Sequence, residues 1–526
     1  MSVAIAIKQP LGFGRSTARV RSSSGRKEAF WIAALTLLHV PISLLVFRVP
    51  AIAMLHAWCT LAVGLVLTTL GRRGLTWVQC WVGYVAGIEV IWRMANAPVF
   101  WEFGKYSVSL VLLFALIRSQ LLGRRWLPVV YFALLMPSVL LTVINSSQAA
   151  TARALISGNL SGPLALTLCA LFFSKARLSV EAARKVFFAV VIPTIGIASI
   201  TIYATAVASN LMFTENSNKI TSGGFGPNQV SSTLGLGALA AWMLITVIGS
   251  KLWVKLFAFG AMALLAVQSA MTFSRGGLYN AAGGAALATA CLLRDRRSRF
   301  RAVLIVVVTA FAVVFFVLPN LDRFTGGALG ARFSNIDTSG RREIALADLE
   351  IWRDHPLLGV GPGMAKGTRS LYYERAGDNG AHTEFTRLLS EHGLLGFGAL
   401  VVLLCAGLGN LRRARNAKGR AITAAMLGWS FLYMTNAAMR LVAPSFAFGL
   451  ACAVLTSDGP RPRRISYSRY ASRRSLRRRY TFRKPMNTLQ DLTIDEDANR
   501  GATFDEKRKR GRQQNHQVPA AFLLGL

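Results

Sequence analysis

The sequence predicts an all-α protein that crosses a membrane about fourteen times. Apolar runs of about 20 residues recur through the first 456 positions, each long enough for a hydrocarbon core of about 30 Å. Charged residues make up 16% of the chain, well below the roughly 25% usual for soluble domains. Basic residues also gather in alternate loops between the apolar runs. Backbone polar groups must be paired within lipid, so runs of this length are helices.

Residues 1–28 form a basic segment, expected in the cytoplasm. No small-residue cleavage site follows it, so the first apolar run reads as an anchor and not as a cleaved signal peptide. Spans are expected at 29–47, 51–70, 76–92, 104–122, 126–145, 156–174, 186–207, 229–249, 254–273, 277–293, 302–318, 391–410, 421–437 and 441–456. The first eleven fill 29–318 and the last three 391–456. Between them lies a long extracytoplasmic loop, 319–390, and after them a basic tail, 457–526. Six short loops on one side hold 21 Lys and Arg, against seven in the loops and span ends of the other side. The positive-inside rule then places the richer set and both termini in the cytoplasm.

The tail carries 17 Lys or Arg and seven Asp or Glu with few apolar residues, a composition that does not pack a core. Its expected role is to fix topology and to touch anionic lipid. The net charge of +37 is thus read as orientation. Nucleic acid is not an expected partner, because the basic runs have neither aromatic interleaving nor a nucleic-acid fold around them. The six cysteines all fall in predicted spans without metal-ligand spacing, so they read as small core residues. Neither a disulfide framework, a metal nor a cofactor is called for, and nothing prescribes an oligomeric state.

Chemistry is expected at four places. In TFSRGG, Arg275 stands at a membrane boundary, where a charge is costly and tends to mark function. Its planar fork suits phosphate oxygens, and the two glycines after it permit close backbone approach. In the long loop, SGRRE supplies Arg341 and Arg342, and DHPLLGVGPG supplies Gly359, Gly361 and Gly363 at alternate positions. These glycines fit a tight loop near a ligand or an ordinary turn. Arg341 to His355 can form an amphipathic helix with Ile344, Ala347, Ile351 and Trp352 on one face, for the interface or for packing. In AHTEFTRLLSEHGLLG, His382 precedes the twelfth span and can accept a proton near neutral pH, with Glu384 two residues on. In GGFGPNQ, Asn228 is expected to cap the eighth span or to reach a ligand. All four places fall on the outer side of the topology that loop charge sets.

TFSRGG, SGR followed by HPLLGVGPG, and AHTEF with LLSEHGLLG resemble the O-antigen ligase and polymerase family of bacterial envelope proteins, and GFGPNQ is similar to it as well. The resemblance covers about residues 210–410. It implies a metal-independent, inverting glycosyltransferase without a cofactor. Such an enzyme takes a glycan from a polyprenyl (undecaprenyl-type) diphosphate carrier at the outer face of the inner membrane. The acceptor it implies is a lipid, a glycan or a protein. The family's catalytic residues map to Arg275, Arg341 and His382, and Arg342, Gly359, Gly361, Asn228 and Glu384 complete the expected substrate-binding set. Thr383 stands where family members often carry asparagine. Two other classes compete: a transporter or flippase, which should show charged mid-span residues and broken paired helices, and a non-catalytic partner in polysaccharide export.

Overall fold

A computed structural model describes residues 16–119, 126–214, 216–248, 251–335, 340–373 and 380–456. The tail at 457–526 and the first fifteen residues of the basic N-terminal segment lie outside the described residues, as do Arg124 and Arg125 of the basic loops.

The protein is an all-α integral membrane protein. Its helices are α1 (Ser16–Arg48), α2 (Pro50–Thr69), α3 (Gly71–Met94), α4 (Phe103–Arg118), α5 (Leu127–Leu135), α6 (Val139–Asn145), α7 (Ala149–Lys175), α8 (Val180–Ala206), α9 (Pro227–Thr246), α10 (Leu252–Met271), α11 (Arg275–Leu293) and α12 (Arg296–Ala312). There follow α13 (Leu318–Phe324), α14 (Ala328–Ser334), α15 (Arg341–Asp354), α16 (Ala365–Thr368), α17 (Glu384–Arg413), α18 (Ala417–Asn436) and α19 (Ala443–Ala451). Every expected span overlaps a helix, although 126–145 is divided between α5 and α6 and 441–456 runs past α19 to Thr456. Among the described residues, however, ten helices are long and apolar enough to cross a membrane. The other four expected spans correspond to α4, α11, α18 and α19. Of these, α4 has 16 residues and α19 nine, and at 1.5 Å per residue neither covers a full hydrocarbon core by itself.

Several boundaries shift; the sixth span begins at Ala149 and the seventh at Val180, instead of 156 and 186. A π-helical segment, Val313–Val317, joins α12 to α13, so the eleventh span runs on to Phe324 instead of ending at 318. The twelfth begins at Glu384, because Thr383 caps α17 by accepting from the amides of Phe385 and Thr386.

The two chain ends of the bundle share a face. Glu28, where the first span begins, pairs with Arg184 and Lys251 from two of the basic loops. A short parallel pair, β1 (Arg177–Ser179) with β2 (Val454–Thr456), ties the last described residues to one of those loops. Helix α18 runs from that face to the opposite one. Asn416 at its start donates to the Leu455 carbonyl, and Asn436 at its end donates to Asn280 in α11.

The core is centred on α9, whose apolar window is 94% buried, against 6% for the helix at 299–324, which lies at the periphery. Small residues let α9 and α11 meet backbone to backbone. A Cβ on Gly277 would lie 2.0 Å from the Ser231 carbonyl oxygen, and one on Gly235 would lie 2.2 Å from the Gly277 carbonyl oxygen. Close approach of this kind is how helices associate where lipid removes the hydrophobic drive. Of the two glycines after Arg275, Gly277 is the one the packing demands, since Gly276 has ordinary room. Gly277→Ala is expected to separate the two helices and lower stability by about 1–3 kcal/mol or more, read as a lower thermal midpoint in detergent.

The cysteines divide. Cys80, Cys169 and Cys452 are buried as expected of core residues, whereas Cys59 and Cys405 are exposed on the apolar flanks of α2 and α17. Those two positions face outward because their helices bury only the opposite stripe.

Candidate functional site: an arginine cluster at four helix ends

The long loop is an ordered, packed segment wherever it is described. Helix α15 buries Ile344, Ala347 and Ile351, as the amphipathic pattern required, and it lies against α17, with Trp352 stacked 6.5 Å from Phe397. Asp348 fixes that contact. Its carboxylate accepts from Arg369 Nε at 2.7 Å, Thr386 Oγ1 at 2.8 Å and Ser390 Oγ at 3.2 Å.

The glycine turn serves the same helix. α17 is broken at Gly393, whose φ is 59°, so carbonyls before the break and the amide after it lose their helical partners. The turn supplies them: Val360 N donates to the Ser390 carbonyl at 2.9 Å, Gly361 N to the Glu391 carbonyl at 3.0 Å, and Leu394 N to the Pro356 carbonyl at 2.7 Å. Gly359 and Gly361 have φ of 65° and 98°, and a Cβ on either would strike backbone, of Glu391 in the first case and Thr142 in the second. The structure places both glycines here, in the seam between α6 and α17, and not among the arginines.

The arginines meet at the starts of helices. Arg275 is the first residue of α11 and donates through Nη1 to the Asn335 carbonyl. Arg341 is the first residue of α15 and donates through Nη2 to Asn228 Oδ1 at 3.4 Å. Ser274 Oγ donates to the same amide oxygen at 2.7 Å. Asn228 therefore does not cap α9, whose cap residue is Gly226. Its single amide instead ties together the starts of α9, α11 and α15. Arg332, buried in α14, donates through Nε to the Phe273 carbonyl at 3.1 Å. Phe273 itself takes a left-handed φ of 55° just ahead of Arg275. Arg342 is exposed.

Electrostatics joins the pieces. Burial, then Arg275 and Arg332, pull the Arg341 pKa downward, though an arginine stays protonated. Burial, then Arg341, Arg440 and Arg369, hold the half-buried His382 at about 4, so its imidazole is neutral near pH 7. The region concentrates positive potential at helix N-termini, a setting made for an anion of several charges.

Arg440 reaches His382 from another side. It lies in the non-helical stretch between α18 and α19 and donates through Nη2 to the Ala381 carbonyl at 3.1 Å. Buried ions satisfy the backbone of that stretch. Glu89 Oε2 accepts from Val442 N at 2.7 Å, Glu384 Oε2 from Met439 N at 3.1 Å, Arg93 Nη2 donates to the Arg440 carbonyl at 2.8 Å, and Lys105 Nζ to the Met439 carbonyl at 3.3 Å. Irregular backbone at membrane depth persists only where protein pairs it. Glu384 thus sits in this support, also bound by Arg387, which in turn reaches Glu391. Glu384→Ala leaves Arg387 with one partner fewer and is expected to cost about 3–5 kcal/mol, measured as lost folded yield and a lower thermal midpoint.

Of the residues expected at the site, Arg275, Arg341, Asn228 and His382 come together, while Gly359, Gly361 and Glu384 support neighbouring backbone. Arg332, Arg369 and Arg440 were not singled out by the sequence. The signal for Arg440 was present, as a lone cation between two apolar runs.

Comparison with known families matches residues 260–401 to the family described as O-antigen ligase. The match takes in Arg275, Arg341 and His382 and bears out the resemblance read from the motifs, so over this stretch the chain is similar to a family of membrane glycan-processing enzymes. No curated protein matches the chain.

Proposed function

We propose that this protein transfers a glycan from an undecaprenyl-type diphosphate carrier to an acceptor hydroxyl, at the outer face of a bacterial inner membrane with both chain ends in the cytoplasm. One observation carries the reading: Arg275 and Arg341, separately anchored at the N-termini of α11 and α15, lie in each other's field, and Arg341 lies in that of a neutral histidine. Arg275 and Arg341 hold the diphosphate, whose negative charge grows as the sugar leaves. Each charge-assisted hydrogen bond to it contributes about 1.5–3 kcal/mol. The acceptor oxygen attacks the anomeric carbon on the face opposite the diphosphate. A new carbon–oxygen bond forms there as the bond to the diphosphate oxygen breaks, which inverts the centre. His382 takes the acceptor's proton. In this reading the arginines supply the charge stabilisation, so the reaction runs without a metal.

The opposite ends of the bundle fit this placement. The basic loops with Glu28 and β1–β2 occupy one face and the arginine cluster the other. The test is transfer by the purified protein from a carrier-linked glycan. Product formation supports the reading, and its absence together with movement of the carrier-linked glycan across a vesicle membrane supports a flippase instead. The acceptor is read from cells lacking the gene: lost chain extension marks a polymerase, and lost attachment with chains still made marks a ligase.

A further inference from the structure

A cavity of about 210 Å³ opens between the end of α3 and the start of α4, lined by Glu89, Trp92, Arg93, Asn96, Trp101 and Phe103 among others. Pockets for drug-sized ligands run to about 300–1,000 Å³, so this one admits a single ring.

Three features mark it as more than packing. Arg93 is 8% exposed and spends Nη2 on Glu89 and the Arg440 carbonyl, yet its Nη1 is buried without a hydrogen-bond partner. A buried donor left unmatched calls for an explanation, and a ligand oxygen is one. Asn96 holds a left-handed backbone, φ 48°, and is exposed at the cavity wall. Strained non-glycine residues of this kind collect at ligand sites. Trp101 carries the Arg93 guanidinium 4.8 Å from its ring centroid and remains 60% exposed. Aromatic faces, an amide and a guanidinium around one small space provide what a pyranose needs: an apolar ring face to stack on and fixed partners for its hydroxyls. The ion pair of Arg93 with Glu89 leaves the wall without net charge, which favours a neutral sugar over an anionic one.

Two chains of contact lead from the cavity toward the arginine site. Trp101 packs 6.0 Å from Phe225, three residues before Asn228. Arg93 holds the carbonyl of Arg440, whose own guanidinium holds the loop beside His382. We infer that this cavity is a pyranose subsite, binding one neutral sugar unit of the glycan next to the diphosphate. The inference deepens the transfer reading and rests on it for the placement of the diphosphate.

The test uses saturation-transfer NMR on the detergent-purified full chain with methyl pyranosides of the neutral hexoses and N-acetylhexosamines. At least one pyranoside should bind the wild type. Its affinity should fall about tenfold in Trp101→Ala and in Asn96→Gly, which keeps the left-handed backbone while removing the amide. It should survive in Arg275→Ala. In the transfer assay Trp101→Ala should raise one KM, that of the donor or that of the acceptor, and so name which glycan sits there. No pyranoside binding, binding unmoved by both variants, or both KM values unchanged would overturn the subsite and reduce Trp101 to an interfacial aromatic. These results are separable from failure of the transfer reading, which would appear as wild-type protein that binds pyranoside and yields no product.

Discussion

Arg275→Ala is expected to lower kcat/KM for glycan transfer by about 10²–10³-fold, with the folded yield close to wild type. The side chain is half-buried at the start of α11, so its removal leaves no large cavity. Under the proposed transfer the substitution removes a donor to charge that grows in the transition state, and such a loss falls on kcat. Arg275→Lys should recover only part of the rate, because an ammonium keeps the charge and loses the two-pronged fork. Arg341→Ala should behave alike, since Arg341 lies in the field of Arg275 and shares Asn228 with the Ser274 cap. If the two grip one diphosphate, the double variant should cost less than the two single effects combined. Steady-state rates on a carrier-linked glycan decide this. A wild-type rate in Arg275→Ala, or strictly multiplicative losses in the double variant, would separate the arginines from a shared substrate group.

The helices were legible because apolar length is a local property, written in consecutive residues. The number of full-length spans was not, since α4 and α19 are too short to cross by themselves and are helical through what packs on them. The breaks were still less visible. Nothing near Gly393 announces that a turn some 30 residues earlier will satisfy its freed carbonyls, and nothing near Met439 names Glu89 or Lys105 as partners. Long-range pairing of this kind leaves no period in the sequence. The site was legible in proportion to how local its logic is. Arg275, Arg341 and His382 sit in short motifs at helix starts, where a charge has few bland explanations. The packing role of Gly359 and Gly361 was not legible, because a glycine that lets a backbone approach a ligand looks the same as one that lets it approach a neighbouring helix. Glu384 stands two residues from His382, but the helix turn carries its carboxylate to Arg387 and Met439.

His382→Gln is expected to lower kcat by about 10²–10⁴-fold, the range for loss of a general base, and the pH profile should show why. Burial and the neighbouring arginines hold the imidazole at about 4 in the free protein. A lowered pKa means the neutral, proton-accepting form persists as pH falls, so kcat/KM should stay level to about pH 5 and decline only below it. Diphosphate bound against Arg275 and Arg341 brings negative charge into the same field and cancels part of it, which favours the imidazolium. The acid limb of kcat, set by the complex, should therefore lie at higher pH than that of kcat/KM, set by the free protein. Substrate binding would then move the histidine toward the pH at which a base works best, so that the group is a weak base until the donor arrives. Rate profiles from pH 4 to 8 on the wild type and on His382→Gln test both parts. Coincident acid limbs would remove the field effect, and an acid limb that survives in the glutamine variant belongs to another group and would take His382 out of the proton step.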